Sequence, residues 1–163
     1  MYKLSTNLLI IILLAISTMA ISATASAETF FDKNFTGKHI EKFVDGKPKY
    51  EVSIKKGKKE GLEIFYYPNG TKQIQTNYVD DKEDGVWNQW YENGQLKLDA
   101  HYQAGQEHGM FTQYYENGQK RLEANFVHGK KEGVEYAWAK DGSVKSTTYY
   151  KDGQVAAEQV VAE

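Results

Sequence analysis

The sequence predicts an all-β repeat protein: a single-layer antiparallel β-meander of about ten strands, built from five 24-residue hairpin units. Three observations carry that expectation. All fourteen glycines fall on three phases of a 24-residue period, with no insertion or deletion across five rows. Twelve tyrosines against two prolines suit strands and turns better than helices. Period-two alternation marks the second half of each row, as in Leu96, Leu98, Ala100 and Tyr102.

The 163-residue chain opens with Met1-Tyr2-Lys3, an apolar run over Leu8–Ile16 and small residues ending Ala25-Ser26-Ala27. A short positive start, an apolar core and an A-x-A site predict a cleavable secretory leader over 1–27. The competing expectation is a retained membrane anchor, since Leu8–Ala27 is about long enough to span a bilayer. Hydroxyl residues between Ser17 and Ser26 and the A-x-A site favour cleavage, and no cysteine follows to take a bacterial lipid anchor. The mature chain would then start at Glu28 and act in the periplasm or outside the cell. Residues 28–36 lead into the repeats, which occupy 37–156, and 157–163 form a C-terminal tail.

The five units run Gly37–Glu60, Gly61–Asp84, Gly85–His108, Gly109–Glu132 and Gly133–Ala156. A second glycine stands nine residues into each, preceded by Asn or Asp: Asp45-Gly46, Asn69-Gly70, Asn93-Gly94, Asn117-Gly118 and Asp141-Gly142. Such dipeptides signal a two-residue hairpin turn of type I′, which needs positive φ at both central residues. In that register Tyr91 pairs with Leu96, Gln89 with Leu98 and Trp87 with Ala100. The third glycine phase, Gly57, Gly105, Gly129 and Gly153 with Asp81 in the gap, marks the turn between units.

These rows resemble the MORN repeat, in the bacterial variant of YwqK-type proteins known as antitoxin components of toxin–antitoxin systems. The likeness rests on Tyr102-x-x-Gly105-x-x-x-Gly109, Phe126-x-x-Gly129-x-x-x-Gly133, Trp90-Tyr91-Glu92-Asn93-Gly94 and Tyr114-Tyr115-Glu116-Asn117-Gly118. It covers about 37–156 and is strongest over Gly61–Glu132; Ile54 and Pro48 weaken the first unit and Ala139 the fifth. Degenerate end units suit capping repeats. The resemblance implies an open β-meander used for binding.

Composition excludes several kinds of chemistry. Twenty basic and 22 acidic residues give a net charge of −2, which argues against nucleic acid as a partner. With no cysteine there is no disulfide, no thiolate nucleophile and no Cys-type metal centre. His39, His101, His108 and His128 form no metal-ligand motif. His108 shares a phase with Glu60, Asp84 and Glu132, but successive hairpins stand about 9.6 Å apart, too far to share one ion. That ladder therefore predicts solvated turn charge, and His101 beside Asp99 an exposed cross-strand partner. Asp80, Asp81, Glu83 and Asp84 would serve a glycoside hydrolase only if one kept a raised pKa in a cleft. A surface turn with Lys82 among them predicts a solvated acidic loop instead. The lysine-rich turns at Lys55, Lys56, Lys58, Lys59, Lys130 and Lys131 could touch anionic lipid, but such charges commonly keep open sheets from aggregating. No catalytic, cofactor or metal residues are expected.

Aromatic periodicity exceeds what turn chemistry requires. Tyr66, Trp90, Tyr114 and Trp138 repeat at one phase, with Tyr67, Tyr91 and Tyr115 at the next. Neighbouring residues on a strand point to opposite faces, so one layer cannot bury both ladders. The first shares its face with Lys97, Asp99, Arg121 and Glu123, and rings among charges suit recognition better than a dry core. The expected function is an exported, non-catalytic module that binds another protein, a toxin or a component of the cell envelope, through Tyr66, Trp90, Tyr114 and Trp138. The alternatives are an immunity-type antitoxin and, in another class, a carbohydrate-active enzyme using the turn carboxylates.

Overall fold

A computed structural model describes residues 31–160. The leader expected over 1–27 lies outside the described residues. Every described element belongs to one antiparallel sheet whose strands pair in chain order. Four hairpin strands come first: β1 (Gly37–Lys42), β2 (Pro48–Lys55), β3 (Lys58–Tyr66) and β4 (Lys72–Val79). They continue into β5 (Lys82–Trp90), β6 (Leu96–Gln103), β7 (Gln106–Glu107), β8 (Gly109–Tyr114) and β9 (Lys120–Val127). The last are β10 (Lys130–Lys131), β11 (Gly133–Trp138), β12 (Val144–Lys151) and β13 (Gln154–Val160). β7 precedes β8 and β10 precedes β11, each pair parted by one residue, His108 or Glu132. The sheet is thus eleven strands wide: five hairpins plus β13, which extends into the segment expected to be tail.

The type I′ conformation expected at Asn-Gly lies instead in the turns between units. Type I′ geometry does not occur at Asn-Gly. There the turn closes with the Gly94 N–H donating to the Tyr91 carbonyl at 2.9 Å and Tyr91 N–H to Gln95 O at 2.8 Å. Gly94 has φ +87°, whereas Asn93 is not left-handed. This is the three-residue loop, a type I turn followed by one left-handed residue. Asparagine serves through its side chain instead, with Asn93 Oδ1 accepting from the Gln95 N–H at 2.9 Å. Asn69, Asn117, Asp45 and Asp141 repeat that bond.

Type I′ turns lie between the units, where Lys56-Gly57, Asp80-Asp81, Ala104-Gly105, His128-Gly129 and Asp152-Gly153 all have positive φ. Each is held by the segment that precedes it in the sheet: the Gly57 N–H donates to Phe35 O at 2.9 Å, that of Gly105 to Glu83 O at 2.8 Å and that of Gly129 to Glu107 O at 2.9 Å. Where glycine is missing, Asp81 keeps the turn with a 3.1 Å bond from its N–H to Lys59 O. Its carboxylate also accepts from the Lys59 N–H at 2.7 Å.

Cross-strand pairing sorts the side chains onto two faces. The closed face carries large residues opposite small ones: Trp87 opposite both Thr76 and Ala100, and Phe111 opposite Ala124. Val52, Ala100, Thr76 and Ala124 are 0, 1, 2 and 2% exposed. Leu98 and Leu122, paired with Gln89 and Gln113, continue this face. The Gln89–Leu98 and Trp87–Ala100 pairings follow the register expected from the sequence.

Polar groups complete the closed face. Glu63, 5% exposed, accepts from Tyr50 Oη at 2.7 Å and Lys59 Nζ at 2.6 Å, and Lys59 also lies over the Tyr78 ring at 4.6 Å. Burial and the nearby Glu63 carboxylate push both tyrosine hydroxyls well above their usual range. The fifth unit repeats the device: Lys131 pairs with Glu135 and lies 4.7 Å from the Tyr150 ring. Trp87 and Phe111 of the third and fourth units replace that glutamate, and Glu83 and Glu107, each in the unit before, replace the lysine. Glu107 then sits half-buried with no cation beside it among the described residues, and burial raises its pKa. It also helps to push the Tyr102 hydroxyl up to about 12, behind the larger effect of burial.

Candidate binding surface

The other face is open. Its outermost row is Leu62, Val86, Met110 and Val134, one aliphatic side chain per hairpin and every one of them exposed. Four residues further along the same strands come Tyr66, Trp90, Tyr114 and Trp138, all half-buried. Alternation puts both rows on one side, with Ile64, Asn88, Thr112 and Tyr136 between them. No other described element covers this side.

A bulge sets each rung of the aromatic ladder. Pairing shifts by one residue between Phe65 and Tyr66, Gln89 and Trp90, Gln113 and Tyr114, and Ala137 and Trp138. The extra residue re-aims the strand end, as bulges do beside functional sites. Tyr66 therefore faces Lys72, Trp90 faces Leu96, Tyr114 faces Lys120 and Trp138 faces Val144. This corrects the register expected at the strand ends, where Tyr91 was to pair with Leu96 and Lys97 and Arg121 were to face the ladder. The displaced cations lie against the neighbouring ladder, Lys97 5.5 Å from the Tyr91 ring and Arg121 6.0 Å from that of Tyr115. Lys72 and Lys120 reach over the next hairpin to the Trp90 and Trp138 rings, at 5.8 and 5.9 Å. Asp99 and Glu123 remain on the open face, with Asp99 accepting from Asn88 Nδ2 at 2.9 Å.

The second ladder is structural. Tyr67 Oη donates to Trp90 O at 3.0 Å, Tyr91 Oη to Tyr114 O at 2.8 Å and Tyr115 Oη to Trp138 O at 2.8 Å. Each hydroxyl thus bonds the carbonyl of the next hairpin's rung and fixes the ladder's spacing. Turn residues add to that tie: Asn69 Nδ2 donates to Glu92 O and Asn117 Nδ2 to Lys140 O. The sequence-predicted turn positions Gly70, Gly94, Gly118 and Gly142 all close their loops through N–H bonds of 2.9 to 3.0 Å.

The row expected to be solvated turn charge has a defined task. Carboxylates of Glu60, Asp84 and Glu132 accept the backbone N–H of Asp80, Ala104 and Asp152 in the following turn, at 3.0, 3.0 and 2.9 Å. Thr36 Oγ1 does the same for Lys56 at 3.0 Å. His108 occupies the remaining position of this row; its Nδ1 is buried without a partner among the described residues, and its ring lies 5.2 Å from that of His128. The repeat period offered a signal for this row, since a short acceptor recurs one residue before each unit's first glycine. His101 is exposed opposite Val86.

Asp80 is also engaged. Lys58 Nζ donates to it at 2.5 Å and holds its carboxyl below the usual range. No group of three or more metal-ligating side chains occurs among the described residues.

No curated protein matches the chain. The family pattern described as MORN repeat variant matches residues 59–80, 83–104 and 107–128. Each match opens two residues before a unit glycine, at Lys59, Glu83 or Glu107, and runs through one hairpin into the following turn. Three consecutive units at the centre of this sheet are thus similar to the MORN repeat variant.

Proposed function

We propose that this protein is an exported, non-catalytic repeat module that binds another protein through the aromatic rungs Tyr66, Trp90, Tyr114 and Trp138. The observation that carries the proposal is the asymmetry of the sheet. One face covers itself, while the other holds half-buried rings, adjacent cations and an exposed aliphatic row in register along four hairpins. Contiguous exposed apolar surface rimmed by polar groups is a usual feature of interaction sites. Engagement of the turn carboxylates supports a non-catalytic role. Asp81 and Asp84 accept backbone N–H groups and so hold the turns, while Lys58 keeps the Asp80 carboxyl below its usual range, the opposite of what a general acid needs. Export rests on the leader pattern ending Ala25-Ser26-Ala27.

Affinity capture from the native host with tagged wild-type protein and a Trp90→Ala/Tyr114→Ala variant tests the binding role. A partner held by the wild type and lost from the variant is the expected result. Equal capture by both would remove the ladder as the site. Capture of a toxin would make the protein an immunity-type antitoxin rather than a scaffold. Mass spectrometry of the secreted or periplasmic form should find Glu28 at its N-terminus.

A further inference from the structure

The spacing of the rungs selects the shape of their occupant. Tyr91 and Tyr115 tie each hairpin to the next through 2.8 Å bonds, so the ladder repeats every second strand, about 9.6 Å. A polyproline II helix rises 3.1 Å per residue with three residues per turn. Its residues i, i+3 and i+6 therefore line one side at about 9.3 Å intervals, within about 0.3 Å of the rung spacing. An α-helix presents a side every seven residues, about 10.5 Å, and slips by about 0.9 Å at each rung. An extended strand presents every second residue at about 6.8 Å and misses the rungs altogether.

Charge selects further. Lys72 lies at the Trp90 rung, Lys97 against Tyr91 and Arg121 against Tyr115. None of these three has a carboxylate within salt-bridge distance among the described residues. Lys72 thus stands at the ladder itself, and Lys97 and Arg121 border it on the adjoining tyrosines, so the cations are complementary to acidic side chains on a ligand of the same period.

We infer that the aromatic ladder takes an acidic, proline-rich segment of a partner protein in polyproline II conformation, with one ring of the ligand on each rung. This rests on the assignment of the open face as the binding surface and names the class of its partner. Proline rings meet the aromatic rungs, as in other aromatic-lined grooves that read this conformation. Carboxylates at a second position of each triplet meet Lys72, Lys97 and Arg121. The ligand pays little ordering entropy, because the helix is already populated when free.

Fluorescence anisotropy with the full chain and labelled twelve-residue peptides provides the test. The probes are four Pro-Pro-Glu triplets, four Pro-Pro-Lys triplets, four Gly-Ser-Glu triplets and an acidic uronate oligosaccharide. Saturable binding of the Pro-Pro-Glu peptide is expected, about tenfold tighter than the other two peptides and weakened about tenfold by Trp90→Ala. Val155→Ser, on the terminal strand opposite Tyr150 and away from the rungs, should leave it unchanged. Absence of binding to the Pro-Pro-Glu peptide, or binding indifferent to Trp90→Ala, overturns the inference. Ladder-dependent binding of the oligosaccharide without the peptide also overturns it, yet leaves the open face as a binding surface. Failure of that wider assignment shows separately, as capture of the natural partner unaffected by Trp90→Ala/Tyr114→Ala.

Discussion

The two faces of the sheet use similar residues to opposite ends. On the closed face Trp87 and Phe111 stand opposite alanines, so each large side chain fills the space its neighbour leaves. On the open face Trp90 stands opposite Leu96 and Tyr114 opposite Lys120, with bulges in place of flat pairing. Charge does not separate the faces, since the most buried carboxylate, Glu63, lies on the closed one. The difference lies in complementarity of size and in partners. Glu63 has both a tyrosine hydroxyl and a lysine, whereas Lys97 and Arg121 have, among the described residues, the face of a ring and no carboxylate. An aromatic period in a repeat sheet thus signals stability or recognition according to what stands across the strand from it.

Removing closed-face volume should break the comparison most strongly. Leu98→Ala and Leu122→Ala should each cost about 2–3 kcal/mol, near the low end for core truncations because both leucines are half-buried. Chemical denaturation reads the loss directly. Next comes Gly118→Val, which forces a β-branched residue to φ +84° and should cost about 2 kcal/mol. Asn117→Gly removes bonds to Gln119 N–H and Lys140 O and should cost about 1 kcal/mol. A neutral Asn117→Gly would restore the type I′ assignment at this turn.

Smaller changes sharpen the account. His108→Glu restores the acceptor found at Glu60, Asp84 and Glu132 and should raise stability by about 0.5–1 kcal/mol. Glu107→Gln should also stabilise at neutral pH. Burial raises the folded-state pKa of Glu107, so its protonated form supports folding below the ordinary carboxylate range. That support is lost as pH rises through the raised value. The advantage of Glu107→Gln over wild type should accordingly vanish in acid, which a pH series of denaturation midpoints would show.

Much of the fold was legible because turn chemistry repeats without a gap. Glycine phases located every hairpin, and the alternation around Leu98 and Ala100 gave the strand register that the sheet adopts. The turn types were not legible from Asn-Gly alone. Asn93 can supply either a left-handed backbone or a side-chain acceptor, and a three-residue loop uses the acceptor. Lys56 and Ala104 carry no left-handed signal, yet the hydrogen bonds of Gly57 to Phe35 O and of Gly105 to Glu83 O hold them there. The ladder itself was visible, but its neighbours were not, because a one-residue bulge at Trp90 exchanges Lys97 for Leu96. The strand over Gln154–Val160 was missed because it starts at the end of the last unit and runs on into residues that carry no repeat signal.

The most direct measurement compares denaturation midpoints of Trp90→Ala and Leu98→Ala in the same buffer. Trp90→Ala keeps its backbone carbonyl bond to Tyr67 and removes only a half-buried ring under Lys72. Its midpoint should fall clearly less than that of Leu98→Ala. If Trp90→Ala proved the more damaging, the ladder would belong to the core, and recognition would have to move to the face now assigned as closed.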